Sequence, residues 1–314
     1  MLFRSVPITY KGGVYRHNEI IDLIEDLGGY IVQKHMIAQE VVLQCFVPKE
    51  DVELIRAIGK PLAGEVTDSP LVGTEIAVVS MSLEIHHLPH PSCDIAEYVR
   101  RLGAKSNMIG MARGVGKRIA GINDEERDVI NEHDIAVYLL GNFETCIEKK
   151  MPVLLRGIEV PVVLCGGPDK EVLERIVQPK VDGYVGNVGR FMHRTKESEE
   201  LDKLDEIIDE ITRVLSKRRE EIAKDPLSVA PARLMDIIRE KVPDIQYVTS
   251  PTPLTVQMAG LRVKLPYDTY ADAVRKAEIE DGITIGEIAE VEPSRMRDYI
   301  IVRVKPFSET NIVV

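Results

Sequence analysis

Hydrophobic and polar positions along this chain fall into three successive patterns. In the first 70 residues a short apolar strand near Val6–Tyr10 precedes Ile20, Ile21, Leu23, Ile24 and Leu27, which share one helical face. Asn18 is placed to cap that helix and Gly28-Gly29 to end it. Strands follow at Tyr30–Gln33 and Val41–Val47, then a helix from about Lys49 to Ile58 and a short strand after Pro61. The order βαββαβ predicts a ferredoxin-like domain over residues 1–70.

From about Val72 to Ala223 the pattern becomes apolar strands separated by helices, at Glu75–Ser80, Ser106–Ile109, Asp134–Leu140, Pro161–Cys165 and Gly183–Val185. Such alternation predicts a Rossmann-like α/β domain over 71–224, with a doubly wound, mostly parallel central sheet covered on both faces. The polar stretch Lys196–Ile222 carries Leu201, Leu204, Ile207, Ile208, Ile211, Val214 and Leu215, the stripe of a surface helix lying on a core. Its alternating charges read as a solvated face, and the repeat is too short for a coiled coil. Asp225-Pro226 and Ala230-Pro231 mark a linker into a small α+β C-terminal domain, 225–314, with strands around Leu254–Leu265 and Tyr299–Val304. That domain has neither Cys nor His, which suits docking better than chemistry. The expected fold class is therefore α/β, in three domains.

Composition narrows the function. No apolar run approaches the ~18 residues of a membrane span, and MLFRSVPITYKGG lacks the apolar core of a signal peptide, so a cytoplasmic protein is expected. A net charge of −11, from 40 basic and 51 acidic residues, opposes phosphate binding over a wide surface, and the absence of Trp removes a stacking platform; nucleic acid is not an expected partner. Four cysteines in 314 residues are too few for a disulfide framework and are kept for packing, catalysis or metal.

In an open α/β sheet, ligands bind beyond the carboxyl ends of the strands. After Glu75–Ser80 comes HHLPHPSCD, with His86, His87, His90 and Cys93; its two prolines make it an extended loop and not a core face. After Asp134–Leu140 comes GNFETC, which places Cys146 in the first turn of a helix that Asn142 is set to cap. Cys165 closes its strand before Gly166-Gly167-Pro168. All three cysteines are expected on one rim. A helix N-terminus favours the metal-binding thiolate, and thiolates with nearby imidazoles suit an iron–sulfur cluster or zinc. There is no CxxC pair, so ligands must come from distant segments or a partner chain. Cys165 reads equally as a small buried hydrophobe, Cys45 as that alone, and His17, His35 and His133 as surface or capping residues.

A second feature is GMARGVGKR, where Arg113, Gly114, Gly116, Lys117 and Arg118 offer backbone N–H groups and cations to an anion or a partner protein. Arg118 stands where a Walker A loop needs Ser or Thr, and no GxGxxG fingerprint is complete, so ATP hydrolysis is not expected here. The turn Gly186-Asn187-Val188-Gly189-Arg190, with His193 and Arg194 beyond it, adds polar groups to the same rim.

The segments YKGGVYRH (10–17), PLVGTEIAVV (70–79), HHLPHPSCDIAEY (86–98), GMARGVGKRIA (110–120), NEHDIAVYLLGNFE (131–144) and CGGP (165–168) resemble methanogenesis marker protein 7 over about the first 220 residues. The resemblance implies an archaeal subunit of the ATP-dependent complex that reductively activates methyl-coenzyme M reductase. It implies as partners that reductase with its small operon protein, other methanogenesis marker proteins and an ATPase component. It also implies large iron–sulfur clusters, similar to a nitrogenase-cofactor precursor, that pass electrons towards the nickel tetrapyrrole. Assigning Cys93, Cys146 and Cys165, with the His86, His87 and His90 loop, to such a cluster rests on the rim argument. The expected function is an electron-transfer and scaffold subunit, not catalytic alone, that holds or shares a cluster. The alternatives are a stand-alone enzyme binding a phosphorylated or nucleotide ligand at 110–118, and a cofactor-free interaction protein.

Overall fold

The structure is a computed structural model that describes residues 5–80, 91–111, 122–189, 191, 197–250 and 252–314. The first unit contains β1 (Ser5–Gly13), α1 (His17–Asp26), β2 (Tyr30–Ile37), β3 (Glu40–Pro48), α2 (Val52–Gly59) and β4 (Glu65–Asp68). Its sheet is antiparallel in the order β2-β3-β1-β4, the ferredoxin-like arrangement. Ile20, Ile24, Val52 and Ile55 from the two helices close over Ile8, Leu43, Cys45 and Val47 from the sheet. Tyr10 is fully buried in the same core. A Cβ on Gly12 or Gly64 would lie 2.6 or 2.5 Å from its ring Cζ, so these two glycines are dictated by close approach to the ring. Asn18 does not cap α1. The chain enters the helix through Arg16, in left-handed backbone with φ 58°, and Arg16 pairs with Glu19 in the first turn.

The central unit runs β5 (Glu75–Ser80), α3 (Pro91–Arg101), β6 (Lys105–Gly110), α4 (Asp124–Asn131), β7 (Ile135–Leu139), α5 (Glu144–Leu154), β8 (Val162–Cys165), α6 (Lys170–Ile176), β9 (Gly183–Val185) and α7 (Glu197–Lys224). Its five strands are parallel, in the order β6-β5-β7-β8-β9. The period of two sorts their side chains. Ile76, Val78, Val137 and Val163 face Ile95 and Val99 of α3 and Ile207, Ile211 and Val214 of α7. Ala77, Val79, Ala136, Tyr138 and Leu164 face Ile130 of α4, Ile147 and Met151 of α5 and Leu173 of α6. Helices thus cover both faces of an α/β sheet whose strands are buried throughout, except at the β6 edge.

The last unit contains α8 (Pro231–Lys241), β10 (Leu254–Gln257), β11 (Gly260–Val263), α9 (Tyr267–Lys276), β12 (Glu278–Glu280), β13 (Ile283–Thr284), α10 (Ile285–Ile288), β14 (Ala289–Pro293), β15 (Ile300–Val304) and α11 (Phe307–Thr310). An antiparallel sheet in the order β10-β11-β15-β14 packs Leu261, Val263, Ile300 and Val302 against Leu234 and Ile238 of α8 and Val274 of α9. No described helix is long and apolar enough to cross a membrane.

Candidate functional site

The strand order 2-1-3-4-5 of the central unit, counted from β5, reverses direction between β5 and β7. The β5–β6 connection packs α3 on one face, while the later connections pack α4, α5 and α6 on the other. Where neighbouring strands send their chains to opposite faces, their carboxyl ends splay and leave a crevice, the usual ligand position in such sheets. Cys93 lies in the first turn of α3, which follows β5, and Cys146 in the first turn of α5, which follows β7. The two thiols therefore flank the switch point from opposite faces. Cys93 is exposed and Cys146 half-buried, so both are within reach of a ligand or partner.

Cys165 is placed differently. It ends β8, but its side chain is fully buried in the apolar cluster under α3 and α7, where burial pushes the thiol well above its ordinary range. That environment favours the neutral thiol and the packing role. Cys45 is likewise a core residue, its thiol pushed up to about 12 by burial and turned to the Ile8 carbonyl at 3.8 Å. His86, His87 and His90 lie outside the described residues, as do Arg113, Gly114, Gly116, Lys117, Arg118, Arg190, His193 and Arg194. Among the described residues no three His, Cys, Asp or Glu side chains form a group able to hold a metal ion.

Asn142 does not cap α5. The helix begins after Phe143, whose carbonyl accepts the Cys146 amide at 2.9 Å, and Asn142 instead packs against Gly167, whose amide bonds the Gly141 carbonyl at 3.3 Å. This turn leaves the Phe143 ring 78% exposed, three residues before a thiol. An aromatic side chain left in water at the mouth of a crevice is the kind of group that partner interfaces bury.

The opposite edge of the sheet holds a charged cluster that apolar periodicity does not announce. Arg262, in the middle of β11, is fully buried; its Nε donates to Glu75 Oε1 and Oε2 at 3.1 and 3.2 Å, and its Nη1 to Glu132 Oε2 and Ser294 Oγ at 2.6 Å each. Gln257 adds hydrogen bonds of 2.6 Å to Glu75 and to the Glu132 carbonyl. Asp134 accepts the backbone amides of Glu75 at 2.8 Å and Met258 at 2.9 Å, and burial pushes its carboxyl up to about 7 in spite of both. Burial also acts to raise Glu75, but His133 when protonated, the Arg262 guanidinium, and hydrogen bonds from Arg262 and Gln257 outweigh it and hold Glu75 below its ordinary value.

His133 is not a surface or capping residue: it is buried in this cluster, which lowers its pKa. Its Nδ1 faces the Val129 carbonyl at 2.8 Å and its Nε2 the Asn107 amide nitrogen at 3.0 Å, the partners of a neutral ring that donates from Nδ1 and accepts at Nε2. Arg262 thus supplies the counter-charge at neutral pH. These residues fasten the last unit to the start of the central strands. An arginine between Leu261 and Val263, and a glutamate opening the apolar strand EIAVVS, were the available signals.

A Rossmann-like central sheet with thiols at its switch point, carried between a ferredoxin-like and an α+β unit, defines the class. The chain belongs to the methyl-coenzyme M reductase operon protein C family, whose model matches residues 6–277. It is 44% identical over 302 residues to an uncharacterised protein of Methanocaldococcus jannaschii, covering 96% of this chain and 94% of that one. It is more distantly similar to methyl-coenzyme M reductase I operon protein C of the same organism, at 28% identity over 49% of this chain and 86% of the relative. Methyl-coenzyme M reductase operon protein C of Methanococcus vannielii matches at 25% identity over 53% and 97%.

Proposed function

We propose that this chain acts in methanogenesis as a methanogenesis marker protein 7, an electron-transfer and scaffold subunit of the ATP-dependent assembly that reductively activates methyl-coenzyme M reductase. The names of its relatives support association with that reductase. The observation that carries the redox part is the placement of Cys93 and Cys146 on the two sides of the switch point, accessible and on adjacent strand–helix connections. Two reachable thiols fit a cluster shared with another chain better than one held alone, since four protein ligands are the common requirement. Cys165 is left out of that set, because drawing its thiol to the surface would open the core it fills. Bound there, an iron–sulfur cluster supplies one-electron transfer. The residues of this chain would hold it, and the exposed Phe143 beside Cys146 would be covered by the partner that completes the ligand set.

Iron and sulfide analysis of the tagged chain, purified anaerobically from a methanogen together with whatever accompanies it, tests this reading. The expected result is bound iron that falls in Cys93→Ala and Cys146→Ala, with lost reductase activation and an unchanged melting temperature of the isolated chain. Full iron and full activating capacity in the double variant would move the cluster to another subunit and leave this chain a cofactor-free scaffold.

A further inference from the structure

At the edge of the central sheet away from the two thiols, the three units line a half-open cavity of about 230 Å³. Its walls are largely apolar: Phe46 comes from β3, Ile222 from the end of α7, Leu227 from the linker, and Val256 and Met258 from β10 and the residue after it. Among the described residues one cation lines it. Arg219, on α7, donates from Nη2 to the Pro70 carbonyl at 2.5 Å. Asp134, whose two oxygens each accept one backbone amide, acts on it through space. A guanidinium has five N–H donors in a planar fork, and this half-buried one uses a single neutral acceptor among the described residues, so donors remain for an anion.

We propose that this cavity is a binding site for a small amphipathic carboxylate, its acid group on Arg219 and its apolar body against Phe46, Ile222, Leu227 and Val256. A carboxylate matches the planar fork and offers it two further acceptors, and the apolar walls favour a single charge. Volume sets the size. A dry cavity of about 150 Å³ takes a benzene ring, so this one takes roughly nine heavy atoms. Because all three units contribute walls, an occupant would fix their mutual positions. The site is independent of the cluster reading and stands or falls without it.

Calorimetric titration of the full-length chain with octanoate, 1-octanol and octylamine, all below micelle-forming concentration, tests the proposal. One octanoate per chain is expected, with octanol at least about tenfold weaker, the low end for losing a charge-assisted hydrogen bond, and with no binding of the amine. Arg219→Gln should weaken octanoate at least tenfold and leave octanol unchanged, while Arg219→Lys, which keeps the charge, should retain measurable octanoate binding. Ile222→Trp should abolish both by filling the cavity. Equal affinity for the three compounds, an octanoate affinity unchanged by Arg219→Gln, or no saturable octanoate binding would each overturn it.

Discussion

Arg262→Met removes the one cation that, among the described residues, pairs with the two buried carboxylates Glu75 and Glu132, while keeping a side chain of similar length in β11. The guanidinium makes two contacts to Glu75 and one each to Glu132 and Ser294. Glu132 retains the Ser294 hydroxyl at 2.7 Å and the Arg295 amide, and Glu75 retains Gln257 and Asn107. The hydrogen bonds that survive are not charge compensation. Breaking a buried ion pair from one side typically costs about 3–5 kcal/mol, because the remaining charge stays desolvated. At roughly 2–4 °C per kcal/mol for a chain of this order of size, the loss is of order 10 °C in Tm. Differential scanning calorimetry at pH 7 is the assay, and the first transition should be that of the C-terminal unit releasing from the sheet edge. The triple variant Arg262→Met, Glu75→Gln, Glu132→Gln should recover most of the loss, since neutral groups of the same shape carry no unpaired charge. A loss below about 1 kcal/mol, or no recovery in the triple variant, would refute the view that charge compensation holds this junction together.

Three further outcomes rest on other parts of the structure. Asp134 has its folded pKa raised to about 7, so the stability its protonation contributes is full below about pH 4 and is lost as pH rises through 7; in urea titrations the stability of wild type relative to Asp134→Asn should therefore decline steadily from pH 5 to pH 8, and a rising difference would reverse the assignment. The Tyr10 hydroxyl is buried without a hydrogen-bond partner among the described residues, so Tyr10→Phe should be neutral or stabilising, whereas Gly64→Ala should cost about 1–3 kcal/mol by overpacking against the ring, both read as shifts in the urea midpoint. Phe143→Ser should leave Tm unchanged and reduce the amount of partner protein recovered with the tagged chain; undiminished recovery would remove this ring from the interface.

The sheet-forming segments were legible because their chemistry is local. The apolar runs at Glu75–Ser80 and Gly183–Val185 are the observed strands to the residue, and the stripe from Leu204 to Leu215 lies along α7. Helix entry is less legible in the sequence. Asn18 and Asn142 have the right side chains for caps, but α1 starts through a left-handed Arg16 and α5 after Phe143, because contacts with neighbouring loops set the turn. On the rim, strand order placed Cys93 and Cys146 at the crevice, as periodicity alone could not: the same pattern is compatible with several orders of the five strands. The Glu75–Arg262 junction joins residues 187 apart in sequence, and nothing in either segment names the other. The same holds for His133, whose neighbours in sequence are charged and which is buried among Val129, Asn107 and Arg262, distant in sequence or on another face of the pattern.

The two edges of the central sheet are used in opposite ways, and this bears on where a partner can bind. At the edge where the strands begin, Glu75, Glu132 and Asp134 are spent on the C-terminal unit, and the backbone amides of Met258 and Arg295 are drawn into the same network. A partner arriving there would have to displace a buried ion pair, at a cost of several kcal/mol before any new contact forms. At the edge where the strands end, the described residues include an exposed thiol, a half-buried thiol and an exposed aromatic ring, none of which the C-terminal unit covers. An assembly that formed through the switch-point rim would leave the fold intact and bury groups that are costly to expose. Hydrogen exchange on the chain, alone and in the recovered complex, should therefore show added protection at the starts of α3 and α5. Added protection confined to β10 and β11 would instead place the partner on the C-terminal unit and separate the thiols from the assembly.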